Sequence, residues 1–156
     1  TDPHQQTVRE ILLQCPGVTD VVCAVGTGAT AAGLRKYLPQ SIRVHARPAV
    51  SGQIDGIADV DRYDNYCDST TLTGYNCGEL FVAHDAIGFQ GALLANGIEA
   101  GMSSGATLWL AKRIAQRVPN AKVVMISADG KMQNSVKQHQ TSATGTPPAV
   151  QTLTNL

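Results

Sequence analysis

Apolar positions along this chain change their period several times, and each change marks an element. Val8, Ile11, Leu12 and Cys15 recur at helical spacing. Asp2-Pro3, a capping residue followed by proline at the first helical position, opens that segment, and Pro16-Gly17 ends it. Asp20–Val25 is a nearly continuous apolar run, as expected of a strand covered on both faces. The pattern then predicts a helix from about Ala29 to Leu38 and a strand over Ser41–Ala46.

Arg47 to Gly78 lacks a period and is rich in Gly, Asp, Thr and Tyr, so it reads as a functional or interface loop. A short strand is expected near Tyr66-Cys67-Asp68, and Tyr63, Tyr66 and Tyr75 are expected to pack the loop or an interface. Glu79 to about Asn96 reads as a helix weakened by Gly88 and Gly91. A strand over Ile98–Ala100, a turn over Gly101–Ser104 and a helix over Ala106–Val118 follow. That last helix places Leu110, Ala111, Ile114, Ala115 and Val118 on one face, with Trp109 off it and turned to another element or subunit. Lys122–Ala128 is a further buried strand, and the Gln, Ser, Thr and Pro of 132–156 form a flexible tail. The alternation of strands and helices predicts an α/β domain over residues 1–131: an open, mostly parallel twisted sheet with helices on both faces.

Composition narrows the function. Lys plus Arg number 12 and Asp plus Glu number 12, a balance that calls for neither nucleic acid nor a membrane surface. Nor does any apolar run approach the ~20 residues of a membrane span. Hydrophobic residues at 43% and charged residues at 15% suit a globular chain buried partly against another subunit or domain. Cys15, Cys23, Cys67 and Cys77 form no CxxC pair and read as free thiols of a reducing cytoplasm, with a Cys67–Cys77 disulfide or a zinc site as alternatives. His4, His45, His84 and His139 show no metal-ligand spacing, and Asp59, Asp61, Asp64 and Asp68 lack the spacing of a calcium loop. No nucleophile-elbow sequence appears, which argues against a hydrolase.

The chemistry concentrates at two turns. Gly26-Thr27-Gly28-Ala29-Thr30 joins an apolar strand to a helix start. Unpaired amides and the helix dipole make such a junction an anion site, and its threonines add hydroxyl donors. A phosphate is the natural guest; a well-capped turn without a ligand is the plainer alternative. Gly26, Gly28 and Ala31 also fit the dinucleotide pattern G-x-G-x-x-G/A, with Arg47 rather than an acidic residue after the next strand, which leaves an NADP-type reading open. The second turn, Gly101–Ala106 (GMSSGA), offers Ser103 and Ser104, either as helix caps or as hydroxyls facing a ligand.

In order, VVCAVGTGATAAGLRKYL, GMSSGATLWLAKRIA and KVVMISADGK resemble the C-terminal, large-subdomain part of the cysteine synthase and cystathionine β-synthase family of fold-type II enzymes. The resemblance implies pyridoxal 5′-phosphate (PLP) as cofactor. Gly26, Thr27, Gly28, Ala29 and Thr30 would hold its phosphate and Ser103 its pyridine nitrogen. It implies β-replacement or β-elimination on a serine-derived amino acid, O-acetylserine or serine, meeting sulfide or a thiol. Ser51–Val60 falls where the family lines its substrate cleft but matches poorly, Ala29 replaces the usual glycine, and Asp129 would either lie near the ring or cap the strand end.

The family's Schiff-base lysine has no counterpart with the right context among Lys36, Lys112, Lys122, Lys131 and Lys137. No catalytic residue is therefore assigned. We expect the chain to be a fragment of a longer enzyme, one subunit of a split enzyme whose partner carries the lysine, or a non-catalytic binding domain. The absence of an initiator Met favours the first two. A missing N-terminal half or a lysine-bearing partner chain is expected, as is a dimer.

Overall fold

The structure, a computed structural model, describes residues 2–25, 28–47, 54, 57 and 83–127. The expected strand at 66–68, the three clustered tyrosines, Cys67, Cys77 and the tail at 132–156 lie outside them. The elements run α1 (Pro3–Gln14), β1 (Asp20–Ala24), α2 (Ala29–Tyr37), β2 (Arg43–Arg47), α3 (Ala83–Ala95), α4 (Met102–Arg117) and β3 (Val123–Met125). The three strands form one parallel sheet in the order β2-β1-β3.

β1 is the centre of the molecule. Its side chains alternate between two layers, as the two-residue period of a strand requires. Val21 and Cys23, with Val25 beyond the strand, join a cluster with Val8 and Ile11 of α1 and Leu34 of α2. Val22 faces the other way and meets Ala106, Leu110, Ala111 and Ile114 of α4. Helices thus cover both faces. α3 lies outside α4 and packs on it through Leu93, Ala100 and Leu108. Ile54 and Ile57, from the stretch expected to line a substrate cleft, are buried in the β1–α4 cluster.

Local chemistry explains the boundaries. The Asp2 carboxylate accepts from the His4 amide at 2.9 Å and from the Tyr37 hydroxyl at 2.7 Å, capping α1 and tying it to α2. Gly33 leaves a notch on α2 that the His4 ring fills. The Arg35 guanidinium donates to the carbonyls of Leu38, Pro39 and Ile42 and so closes the α2–β2 connection.

Several expectations are corrected. Ile98–Ala100 is not a strand: the Ile98 amide donates to Leu93 O at 3.0 Å and the Gly97 amide to Leu94 O at 3.0 Å, with Gly97 at φ 78°. That Schellman closure of α3 uses the backbone groups a ladder would need. α4 begins at Met102, so the expected turn over Gly101–Ser104 is mostly helix, and the cap is Gly101 rather than a serine. Ala115 is exposed rather than on the buried face, and Leu12 is 39% exposed. Trp109 is half-buried against the β1–α4 cluster, with the Arg113 guanidinium 4.9 Å from its ring centre.

The amino ends of the strands carry a charged knot that the sequence did not reveal. Asp20 is fully buried. It accepts from Arg43 at 2.8 and 2.9 Å, lies 2.7 Å from His45 Nε2, and accepts from the Thr19 hydroxyl at 2.6 Å. Burial pushes its pKa up, but the hydrogen bonds from Arg43, Thr19 and His45 outweigh that and hold it well below the usual carboxylate range. The stabilisation is therefore full above the unfolded-state pKa and lost as pH falls through the lowered folded value. Urea unfolding should show a midpoint that declines below about pH 4. Asp20→Asn should flatten that acid limb while costing about 1–3 kcal/mol at neutral pH.

Gly105 sets the spacing of α4 and α3. A Cβ there would collide with the backbone carbonyl of Ala86 and stand 2.7 Å from the Gln90 amide nitrogen. Gly105→Ala should lower stability by about 1–3 kcal/mol, read as a shifted denaturant midpoint. Gly88→Ala on the same helix pair, where a Cβ meets nothing within 4 Å, should not destabilise.

Candidate functional site

The parallel register brings the two singled-out turns to the same end of the sheet. Gly28 follows β1 by four residues and opens α2. β3 runs beside β1 with Met125 opposite Val22, and the Ile126 amide donates to Val22 O at 2.9 Å. One residue further on, the Ser127 and Ser104 hydroxyls meet at 2.6 Å. That bond draws the start of α4 to the carboxyl end of β3, next to the carboxyl end of β1. Ligands of open parallel sheets bind outside this end.

Of the expected phosphate residues, Gly28, Ala29 and Thr30 are described, and Gly26, Thr27 and Asp129 lie outside the described residues. Gly28 is buried and adopts φ 91°, the left-handed region that glycine enters without a Cβ clash. It caps α2 with no side-chain hydrogen bond, and no acidic residue stands in that helix's first turn. Arg35 and Lys36 occupy its last turn. α4 repeats the arrangement: Gly101 caps it without a side-chain bond, its first turn holds no acidic residue, and Arg117 stands in its last. Two helix N-termini therefore meet one sheet edge, and neither carries an acidic residue in its own first turn.

Ser103 is buried in the first turn of α4, 6% exposed. The Thr107 hydroxyl donates to its carbonyl at 2.7 Å. Ser104, 1% exposed, points to β3. The Ser104 hydroxyl is thus committed to Ser127, which the pattern GMSSGA alone does not reveal.

The described lysines are all engaged away from this edge. Lys36 sits in the last turn of α2 with its amine 5.1 Å from the Tyr37 ring centre. Lys112 lies over Phe89 at 5.6 Å, and Lys122, before the amino end of β3, donates to Pro16 O at 2.6 Å. A groove of about 300 Å³ between α3 and α4 is lined by His84, Asp85, Phe89 and Lys112 among others. Among the described residues no group of His, Cys, Asp and Glu could hold a metal ion, and no helix is long and apolar enough to cross a membrane.

No protein-family model and no curated protein matches the chain. Solved structures do. O-ureido-L-serine synthase superposes with a TM-score of 0.68 at 24% identity, over 92% of this chain and 49% of that one. The O-acetylserine-dependent cystathionine β-synthase of Helicobacter pylori gives 0.68 at 23% identity, over 80% of this chain and 45% of that one. O-acetylserine sulfhydrylase isoform 3 of Entamoeba histolytica gives 0.63 at 22%, over 92% and 46%. The chain thus spans about half the length of the proteins it matches. At these identities the likeness is one of fold, and it agrees with the fold implied by the three sequence motifs: the chain has the α/β fold of roughly half of a fold-type II enzyme of the cysteine synthase and cystathionine β-synthase kind.

Proposed function

We propose that this chain is the cofactor-binding part of a PLP-dependent enzyme that exchanges a β-substituent on a serine-derived amino acid, O-acetylserine or serine, for sulfide or a thiol. The observation that carries the reading is the meeting of two helix N-termini, with no acidic residue in their first turns, at one sheet edge, with the buried Ser103 in the first turn of one of them. The names of the structural neighbours, all synthases or a sulfhydrylase of serine derivatives, support the substrate class.

The residues present suit the group. A dianionic phosphate needs amide and hydroxyl donors. The left-handed Gly28, the first turn of α2 and the Thr30 hydroxyl meet that need. A pyridine nitrogen needs a hydrogen-bond partner in a dry place, which Ser103 offers. PLP, when bound, withdraws electrons from the α-carbon of an amino acid. Residues 26–30 would anchor its phosphate and Ser103 would orient its ring. A serine hydroxyl donates a hydrogen bond without surrendering its proton, so the nitrogen stays unprotonated. That moderates the electron sink and favours elimination and replacement at the β-carbon over transamination. The lysine that takes the α-proton would come from a preceding segment of a longer chain or from a partner chain, and the assembled enzyme would work as a cytoplasmic dimer.

A second reading rests on Arg47. It ends β2 in register with Ala24, at the carboxyl edge where a dinucleotide's 2′-phosphate would lie. The two readings separate with one titration. Pyridoxine 5′-phosphate lacks the aldehyde that reacts with surface lysines, and its own fluorescence reports binding. It should bind saturably and compete with PLP, whereas pyridoxine without the phosphate should not. Thr30→Val should weaken binding about tenfold or more, the worth of one hydrogen bond to a charged group. Saturable binding of NADP with no binding of pyridoxine 5′-phosphate would favour the dinucleotide reading. Binding of neither would overturn both.

A further inference from the structure

The hydroxyl pair between α4 and β3 has a role that the phosphate turn and Ser103 do not explain. Ser127 lies beyond the carboxyl end of β3 and is exposed, and Ser104 is buried, yet their oxygens stand 2.6 Å apart. The start of α4 has no side-chain cap to fix it. It is fixed instead on two sides. Gly105 presses against the backbone of α3, and Ser104 bonds across to the end of β3. Ser103 lies directly before these two anchored residues, and the hydroxyl of Thr107 ties its own carbonyl down. A rotation or slide of α4's first turn would carry Ser103 with it, and the Ser104–Ser127 bond opposes that motion at the adjacent residue.

We propose that Ser127 is a positioning residue: through Ser104 it sets where the Ser103 hydroxyl stands relative to the phosphate turn after β1. The inference rests on the PLP reading above. Ser127 does not touch the ring; it fixes the distance between the two ends of the site. A ligand gripped at both ends is sensitive to that distance, whereas one held by the phosphate alone is not.

A double-mutant cycle on pyridoxine 5′-phosphate binding tests this. Ser127→Ala should weaken binding about three- to tenfold, the range one neutral hydrogen bond covers. It should also shift the bound ligand's emission in the same direction as Ser103→Ala does. Ser127→Thr, which keeps the hydroxyl, should restore both. In a Ser103→Ala background, Ser127→Ala should have no further effect on affinity, because nothing is left to position. An additive loss in the double variant, or a single Ser127→Ala variant with unaltered affinity and emission, would overturn the positioning role and leave the PLP reading intact. Failure of the unsubstituted chain to bind would overturn the PLP reading, and the positioning role with it. Urea midpoints of all variants separate lost packing from lost positioning.

Discussion

Parallel pairing of β1 with strands on both sides is the constraint on which everything else rests. With Val22 opposite both His45 and Met125, the three strands start together and run the same way, β3 ending two residues before the other two. All their amino ends therefore lie at one edge of the sheet and all their carboxyl ends at the other. The turn into α2 and the start of α4 are far apart in the chain, yet both are delivered to the carboxyl edge. A register slip of one residue would also turn the buried positions of β1 to the wrong layers, so the same hydrophobic pattern that builds the core fixes the placement of the site.

The two edges are electrically distinct. At the amino edge a buried carboxylate is balanced by an arginine and a histidine on the neighbouring strand and by a threonine next to it. Its donors come from the chain itself, and it stabilises the sheet. At the carboxyl edge the described helix starts are capped by glycines, with serines and a threonine in their first turns and no carboxylate. One edge is internally neutralised; at the other the described helix starts offer their positive dipole ends and small donors, a combination that a small anionic ligand with a polar far end can use. Strand polarity thus gives a stabilising ion pair to one end and, on the reading proposed above, the ligand to the other.

Where the signal was local, the sequence was legible. The apolar run of β1 and the helix from Ala29 came through nearly to the residue, because a strand-to-helix junction is written in consecutive positions. Helix α4 was legible from its period, though its first turn was not, since Gly101 and two serines read equally as a turn. Ile98–Ala100 looked like a strand lying between a helix and a glycine-serine turn, but the backbone groups at its start close α3 instead. Contacts between distant positions left no trace in the pattern. The partnership of Asp20 with Arg43 and His45, the bond from Ser104 to Ser127, the collision surface at Gly105 and the burial of Ile54 and Ile57 all depend on which elements the fold places together. Ser103 and Ser104 were legible together as hydroxyls at a turn, and only the resemblance to a known motif chose between them; the burial of Ser103 and the separate duty of Ser104 needed coordinates.

The most direct test of the central claim, that one small ligand bridges the turn after β1 and the start of α4, is amide chemical-shift mapping of the isotope-labelled chain during addition of pyridoxine 5′-phosphate. The account predicts that the amides of Gly28, Ala29 and Thr30 and those of Ser103 and Ser104 move together with one saturation curve, while those of Asp20, Arg43 and His45 at the opposite edge stay still. Movement of only one of the two turns, or of the Asp20 edge instead, would contradict it.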